Sequence, residues 1–88
     1  MKMYLTVEIT KGWDTWNKFT EEMKPEREAA GMKFIFKGCE MDEKKVHAIL
    51  EIESLEKAKE FSSNPEVNAR RIEAGVVVES RVMVPLKD

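Results

Sequence analysis

Apolar and polar residues alternate along four stretches of this chain. In Lys45–Ile52 the even positions are Val46, Ala48, Leu50 and Ile52, and the odd positions are Lys45, His47, Ile49 and Glu51. Strict alternation over such a run predicts a strand with one face on a core. Met3, Leu5, Val7 and Ile9 alternate with Lys2, Tyr4, Thr6 and Glu8, which predicts a first strand broken by Thr10-Lys11-Gly12. Met32–Cys39 is ambiguous in phase. Burying Phe34 and Phe36 avoids burying Lys33 and Lys37 as unpaired charges, so the phenylalanines are expected inside. Cys39 then falls on the other face, and Gly38 is the expected bulge. Met41-Asp42-Glu43-Lys44 turns this strand into the next as a hairpin. In Val76–Leu86 the expected inward set is Val76, Val78, Val82 and Val84, with Val77, Glu79, Arg81 and Met83 facing away.

Between the strands the period changes. Trp13, Trp16, Phe19 and Met23 fall on one helical stripe, opposite Asp14, Asn17, Lys18 and Glu21. The two tryptophans are expected to pack between helix and sheet. Pro25 predicts a kink or a short second helix, and Gly31 a C-terminal cap. Arg27 could bind an anionic ligand, but on this charge-rich segment it is expected to be solvated. Ser54 predicts the N-cap of a helix that buries Leu55, Ala58 and Phe61. Asn64-Pro65 restarts a helix with Val67 and Ile72 inward, and Ala74-Gly75 ends it.

The resulting order is βαββαβ, which predicts an α+β, ferredoxin-like fold over residues 1–88 as one domain. Its four-stranded antiparallel sheet is expected in the order 4-1-3-2, with the helices on one face. The other face carries Tyr4, Ile35, Ile49, Val77 and Met83 among its polar residues, too apolar a set to leave in water. The expected solution is a second copy packed through a two-fold axis.

The chain also resembles a known superfamily, the dimeric α+β barrels. The likeness rests on Trp13-Asp14-Thr15-Trp16-Asn17-Lys18-Phe19, on Arg27-Glu28-Ala29-Ala30-Gly31, and on Ser54-Leu55-Glu56-Lys57-Ala58-Lys59-Glu60-Phe61 running through Asn64-Pro65-Glu66 to Glu73-Ala74-Gly75. With the strand order, these stretches span nearly the whole chain. The superfamily includes the antibiotic-biosynthesis monooxygenase-like proteins and small uncharacterised relatives. The resemblance implies a homodimer whose sheets form a barrel, among members that range from cofactor-independent oxygenases and cyclases to proteins without known activity. Its haem-degrading members use a first-strand asparagine and a helical histidine. This chain has Thr6 and Glu8 on that strand face, and its sole histidine lies on a strand.

Composition narrows the chemistry. The chain has 88 residues, 42% of them hydrophobic and 36% charged, with a net charge of −2. That balance suits a small globular domain and lacks the basic footprint of a nucleic-acid binder. A single cysteine allows no internal disulfide and no cysteine-rich metal site, and it fits a cytoplasmic location. Met1-Lys2-Met3-Tyr4 enters strand pattern directly, unlike a signal peptide, and no apolar run approaches membrane-spanning length. No Gly-rich phosphate loop follows the first strand. No metal and no cofactor are expected.

The candidate site is a cluster on the open sheet face. Pairing Tyr4 with Glu51 would set Glu8 beside His47, with Glu79 and Arg81 approaching from the last strand. An imidazole next to a carboxylate can act as a general base or acid, which makes His47 and Glu8 the candidate catalytic pair. Tyr4, Trp16, Glu79 and Arg81 are the candidate ligand-binding residues. The same charges could simply neutralise one another across a dimer interface. Two classes of function follow. One is a homodimeric small-molecule-binding or structural module. The other is a cofactor-independent enzyme, monooxygenase- or cyclase-like, acting on a small aromatic or polyketide-like substrate. The lack of a second histidine and the crowding of charge favour the module.

Overall fold

The computed structural model describes residues 1–87. Its elements are β1 (Lys2–Ile9), α1 (Trp13–Glu22), α2 (Lys24–Ala29), β2 (Met32–Cys39), β3 (Lys45–Ile52), α3 (Leu55–Ser63), α4 (Pro65–Glu73) and β4 (Val76–Leu86). The four strands form one antiparallel sheet in the order β2-β3-β1-β4, which is the expected 4-1-3-2 read from the other edge. The fold is therefore α+β, with each expected helix divided in two.

Both divisions have local causes. Pro25 has no N–H to donate back to Glu21, so the ladder is interrupted there. Met23 stays helical, with φ −84° and ψ −3°, and passes the chain from α1 into α2 through Met23 N–H to Phe19 O and Arg27 N–H to Met23 O. At the second division Asn64 is extended, and its Oδ1 accepts from the N–H groups of Glu66 at 2.9 Å and Val67 at 3.1 Å. Pro65 follows at the first helical position, where a missing donor does no harm. Removing that acceptor with Asn64→Ala should lower stability by about 1 kcal/mol. Thermal unfolding of the variant checks this, and an unchanged midpoint would mean that α4 starts without its cap.

The core lies between the sheet and the helices. Met3, Val7, Ile9, Val46, Ala48, Leu50 and Ile52 are buried on the helix-facing side of β1 and β3. Trp16 and Ala58 close over them, with Trp16 edge-on to Phe34 at 6.0 Å between ring centroids. Ile72, expected inward, is 61% exposed, because Val67 and Arg71 occupy the inner stripe of α4.

Two bulges reassign the faces of the outer strands. In β2 the register slips between Phe34 and Phe36, so Phe34 pairs with Leu50 while Phe36 pairs with Ile49. One extra residue reverses the face of every residue beyond it. Phe36 therefore lies on the open face, 55% exposed, instead of in the core. Lys37 and Cys39 turn to the helix side. Lys37 is accommodated because its Nζ reaches Thr20 Oγ1 at 3.2 Å and Glu21 at 3.5 Å and lies over the Phe34 ring. The bulge is at Ile35, not at Gly38; the Phe36 ring covers Gly38, and a Cβ there would lie 2.9 Å from it.

In β4 the irregularity falls between the residues paired with Thr6 and Glu8. Val76 and Val77 pair with Ile9 and Glu8, and Val82 to Leu86 pair with Thr6 to Lys2. Ser80 fills the gap: its Oγ accepts from Glu8 N–H at 2.8 Å and donates to Val77 O at 2.6 Å, which satisfies backbone groups the ladder leaves out. Beyond it Arg81 and Met83 face the helices, while Val82 and Val84 face outward at 54% and 41% exposure, the reverse of the expected phase.

Candidate functional site

The sheet separates the expected site into two. Tyr4 and His47 lie on the open face; Trp16 and Arg81 line a cavity on the helix face. The register explains the first change. Tyr4 pairs with Ile49, not Glu51, so Glu8 stands opposite Lys45 and Thr6 opposite His47. Glu8 therefore stands diagonal to His47 on the same face instead of opposite it, and among the described residues no hydrogen bond or ion pair joins the two. Glu79 is exposed in the irregular stretch of β4.

The carboxylate beside His47 is Glu40, at the start of the β2–β3 turn. Its Oε2 is 2.8 Å from His47 Nε2, and His47 Nδ1 is 2.6 Å from the Tyr4 hydroxyl. A neutral imidazole with its proton on Nε2 satisfies both contacts: Nε2–H donates to Glu40, and Tyr4 O–H donates to Nδ1. The result is a carboxylate–imidazole–phenol relay that leaves no polar atom of the two ring side chains unpartnered. Nothing in the local sequence marks Glu40, because its role depends on the register of β3 and on the course of the turn.

Around the relay the open face is apolar. The cross-strand pairs place Phe36, Ile49, Tyr4 and Val84 in one row over all four strands. The next row is Gly38, His47, Thr6 and Val82, and on the other side lie Lys33, Glu51, Lys2 and Leu86.

The cavity lies on the opposite side of the sheet and has a volume of about 80 Å³. Its walls include Met3, Leu5, Trp16, Phe34, Leu50 and Met83. Three arginines, Arg27, Arg71 and Arg81, also line it. Arg27 is 6% exposed, contrary to the expectation that it is solvated. Its Nη1 donates to Thr20 O at 2.7 Å, and its guanidinium lies over Phe34 at 4.5 Å. Burial lowers its pKa, against the opposing charges of Glu21 and Glu28. The helical period had this information: Trp16, Thr20, Met23 and Arg27 fall on one buried stripe.

Cys39 packs beside the core cluster around Trp16 and Val46. Partial burial, and then the charges of Glu43 and Asp42, push its thiol up from the ordinary range, away from the reactive thiolate. Among the described residues, no three His, Cys, Asp or Glu side chains gather where they could hold a metal. Among the described residues, no helix is long and apolar enough to cross a membrane.

No family model and no curated protein matches the chain. Among solved structures it is similar to one titled "Structural Genomics, protein YJCS", with a TM-score of 0.48 and 19% identity over 99% of this chain and 100% of that one.

Proposed function

We propose that the protein is a homodimer of the α+β barrel kind, joined through the open sheet face, that binds a small molecule in the cavity of each subunit. The observation that carries the dimer is the row Phe36, Ile49, Tyr4 and Val84, flanked by the exposed Val82 and Leu86. Both bulges add apolar side chains to this face. At the centre of the face the relay already partners the Tyr4 hydroxyl, both His47 ring nitrogens and one carboxylate oxygen of Glu40 within one subunit. Covering this row therefore removes apolar surface from water while the phenol and imidazole beside it keep their partners. A second copy suits it because lysines and glutamates stand together at its ends, Lys33, Glu51 and Lys2 at one and Glu8 and Lys45 at the other, so the face is complementary to itself.

The alternative is a cofactor-independent enzyme, monooxygenase- or cyclase-like, acting on a small aromatic or polyketide-like substrate. It draws on the relay, in which Glu40 orients His47 and His47 can take a proton from Tyr4. Relay and cavity lie on opposite faces of the sheet, which favours binding over turnover.

Sedimentation at micromolar concentration is expected to give twice the chain mass for the wild type. Ile49→Lys, which puts a charge in the middle of the apolar row, is expected to give the monomer. A monomeric wild type would overturn the assembly.

A further inference from the structure

The two arginines at the β4 end of the cavity are arranged as a pair. Arg81 Nη2 donates to Ser62 O at 2.7 Å, and Arg71 Nη1 approaches the same oxygen at 3.5 Å while donating to Asn68 Oδ1 at 2.6 Å. Two cations thus converge on one neutral carbonyl. Among the described residues, no carboxylate lies within 4 Å of Arg27, Arg71 or Arg81. Among the described residues, Arg71 Nη2 and Nε, and Arg81 Nη1 and Nε, have no hydrogen-bond acceptor. Arg27 Nε is buried with no hydrogen-bond acceptor among the described residues.

Guanidinium groups half withdrawn from water normally stand beside a counter-charge, because the desolvation of each ion is otherwise uncompensated. Burial, and then the like charge of Arg81, bring Arg71 down to about 10. Burial lowers Arg81 as well. An anion between them would relieve both effects. The planar fork of free N–H groups matches a carboxylate.

We propose that the cavity binds a small monocarboxylate, its apolar body among Met3, Leu5, Phe34 and Met83 and its carboxylate on the free donors of Arg71 and Arg81. The inference rests on the small-molecule-binding reading and adds the charge and size of the ligand. The size follows from the volume: an apolar cavity of about 150 Å³ holds benzene, so about 80 Å³ suits a short or branched aliphatic chain. The flexible thioethers of Met3 and Met83 can adjust to its shape. The largely apolar wall argues against a multiply charged phosphate.

The test titrates the protein with isobutyrate and with its neutral isostere isobutyramide, followed by NMR chemical shifts of the Trp16 indole and the Met83 methyl. Isobutyrate is expected to bind at least tenfold more tightly than the amide. Arg81→Gln and Arg71→Gln are expected to remove that preference, so that acid and amide bind equally, and the dispersion of the Trp16 and Met83 signals reports that the variants fold. If either variant fails to fold, the wild-type preference decides the question. Equal binding of acid and amide by the wild type would overturn the carboxylate assignment and leave the small-molecule reading standing. Shift changes from neither probe would overturn both.

Discussion

Trp16→Ala should remove a large share of the stability of the fold. Trp16 is 3% exposed and touches Trp13 at 5.4 Å and Phe34 at 6.0 Å between ring centroids. It closes the cluster of Val7, Ile9, Val46 and Val76 under α1. Truncation removes the transfer energy of the indole and leaves a hole that helix and sheet can only partly collapse into, for a loss of about 3–5 kcal/mol. Against a total of roughly 5–15 kcal/mol for a native domain, that is a large share. The midpoint of thermal unfolding should fall by roughly 15–30 °C for a chain this size. Trp16 also lines the cavity, so a variant with an unchanged midpoint and lost ligand binding would make it a pocket wall and not a keystone of packing.

Gly75→Ala is the second large expected effect. Gly75 ends α4 with φ +90°, a region that side chains rarely enter. Its carbonyl accepts from Thr10 N–H at 2.8 Å, and this tie holds the end of β1 against the start of β4. An added Cβ would lie 2.7 Å from Lys11 Cγ and 3.0 Å from the Lys11 backbone nitrogen. The side-chain atom could move; the backbone atom is held by the adjacent tie. Backbone strain alone amounts to about 1–3 kcal/mol, and the contact adds to it. Gly12→Ala is the comparison. Its φ is +84°, but its Cβ would meet only Glu43 Oε1 at 3.5 Å, so it should lose less in denaturant unfolding. Equal losses in the two variants would remove the role assigned to the contact with Lys11.

The strand and helix pattern was legible because each element carries its own period and its own caps. Alternation placed β1 and β3 correctly, and Asn64-Pro65 and Pro25 marked the two helix divisions. The faces of β2 and β4 were not legible. Alternation assumes an unbroken register, and a single bulged residue inverts all that follows. For β2 the cost of burying lysine argued against the true arrangement, yet Lys37 turns inward and reaches Glu21 and Thr20 from the core edge. For β4 the cue was Ser80, a small hydroxyl in a valine-rich strand, which serves as the plug of the irregularity. The expected cluster does not assemble, for two separate reasons. A two-residue shift between β1 and β3 exchanged Glu8 for Glu40 beside His47, and the β4 bulge carried Arg81 to the opposite face.

The position of β1 inside the sheet bears on how the chain must be made. Its partners are β3 and β4, and neither lies next to it in sequence. During synthesis at about 5–20 residues per second, β1 has both edges unpaired until Lys45–Ile52 has emerged. Its second edge waits longer, for the final strand. Throughout that interval the nascent chain presents Met3, Leu5, Val7 and Ile9 on a strand without neighbours. Both pairings that bury this strand also close long loops, whose entropy is lost before the contacts are gained. A half-apolar strand with both edges open is the form most prone to pair with another chain, so the strand order makes the first strand the exposed element while the chain is being made.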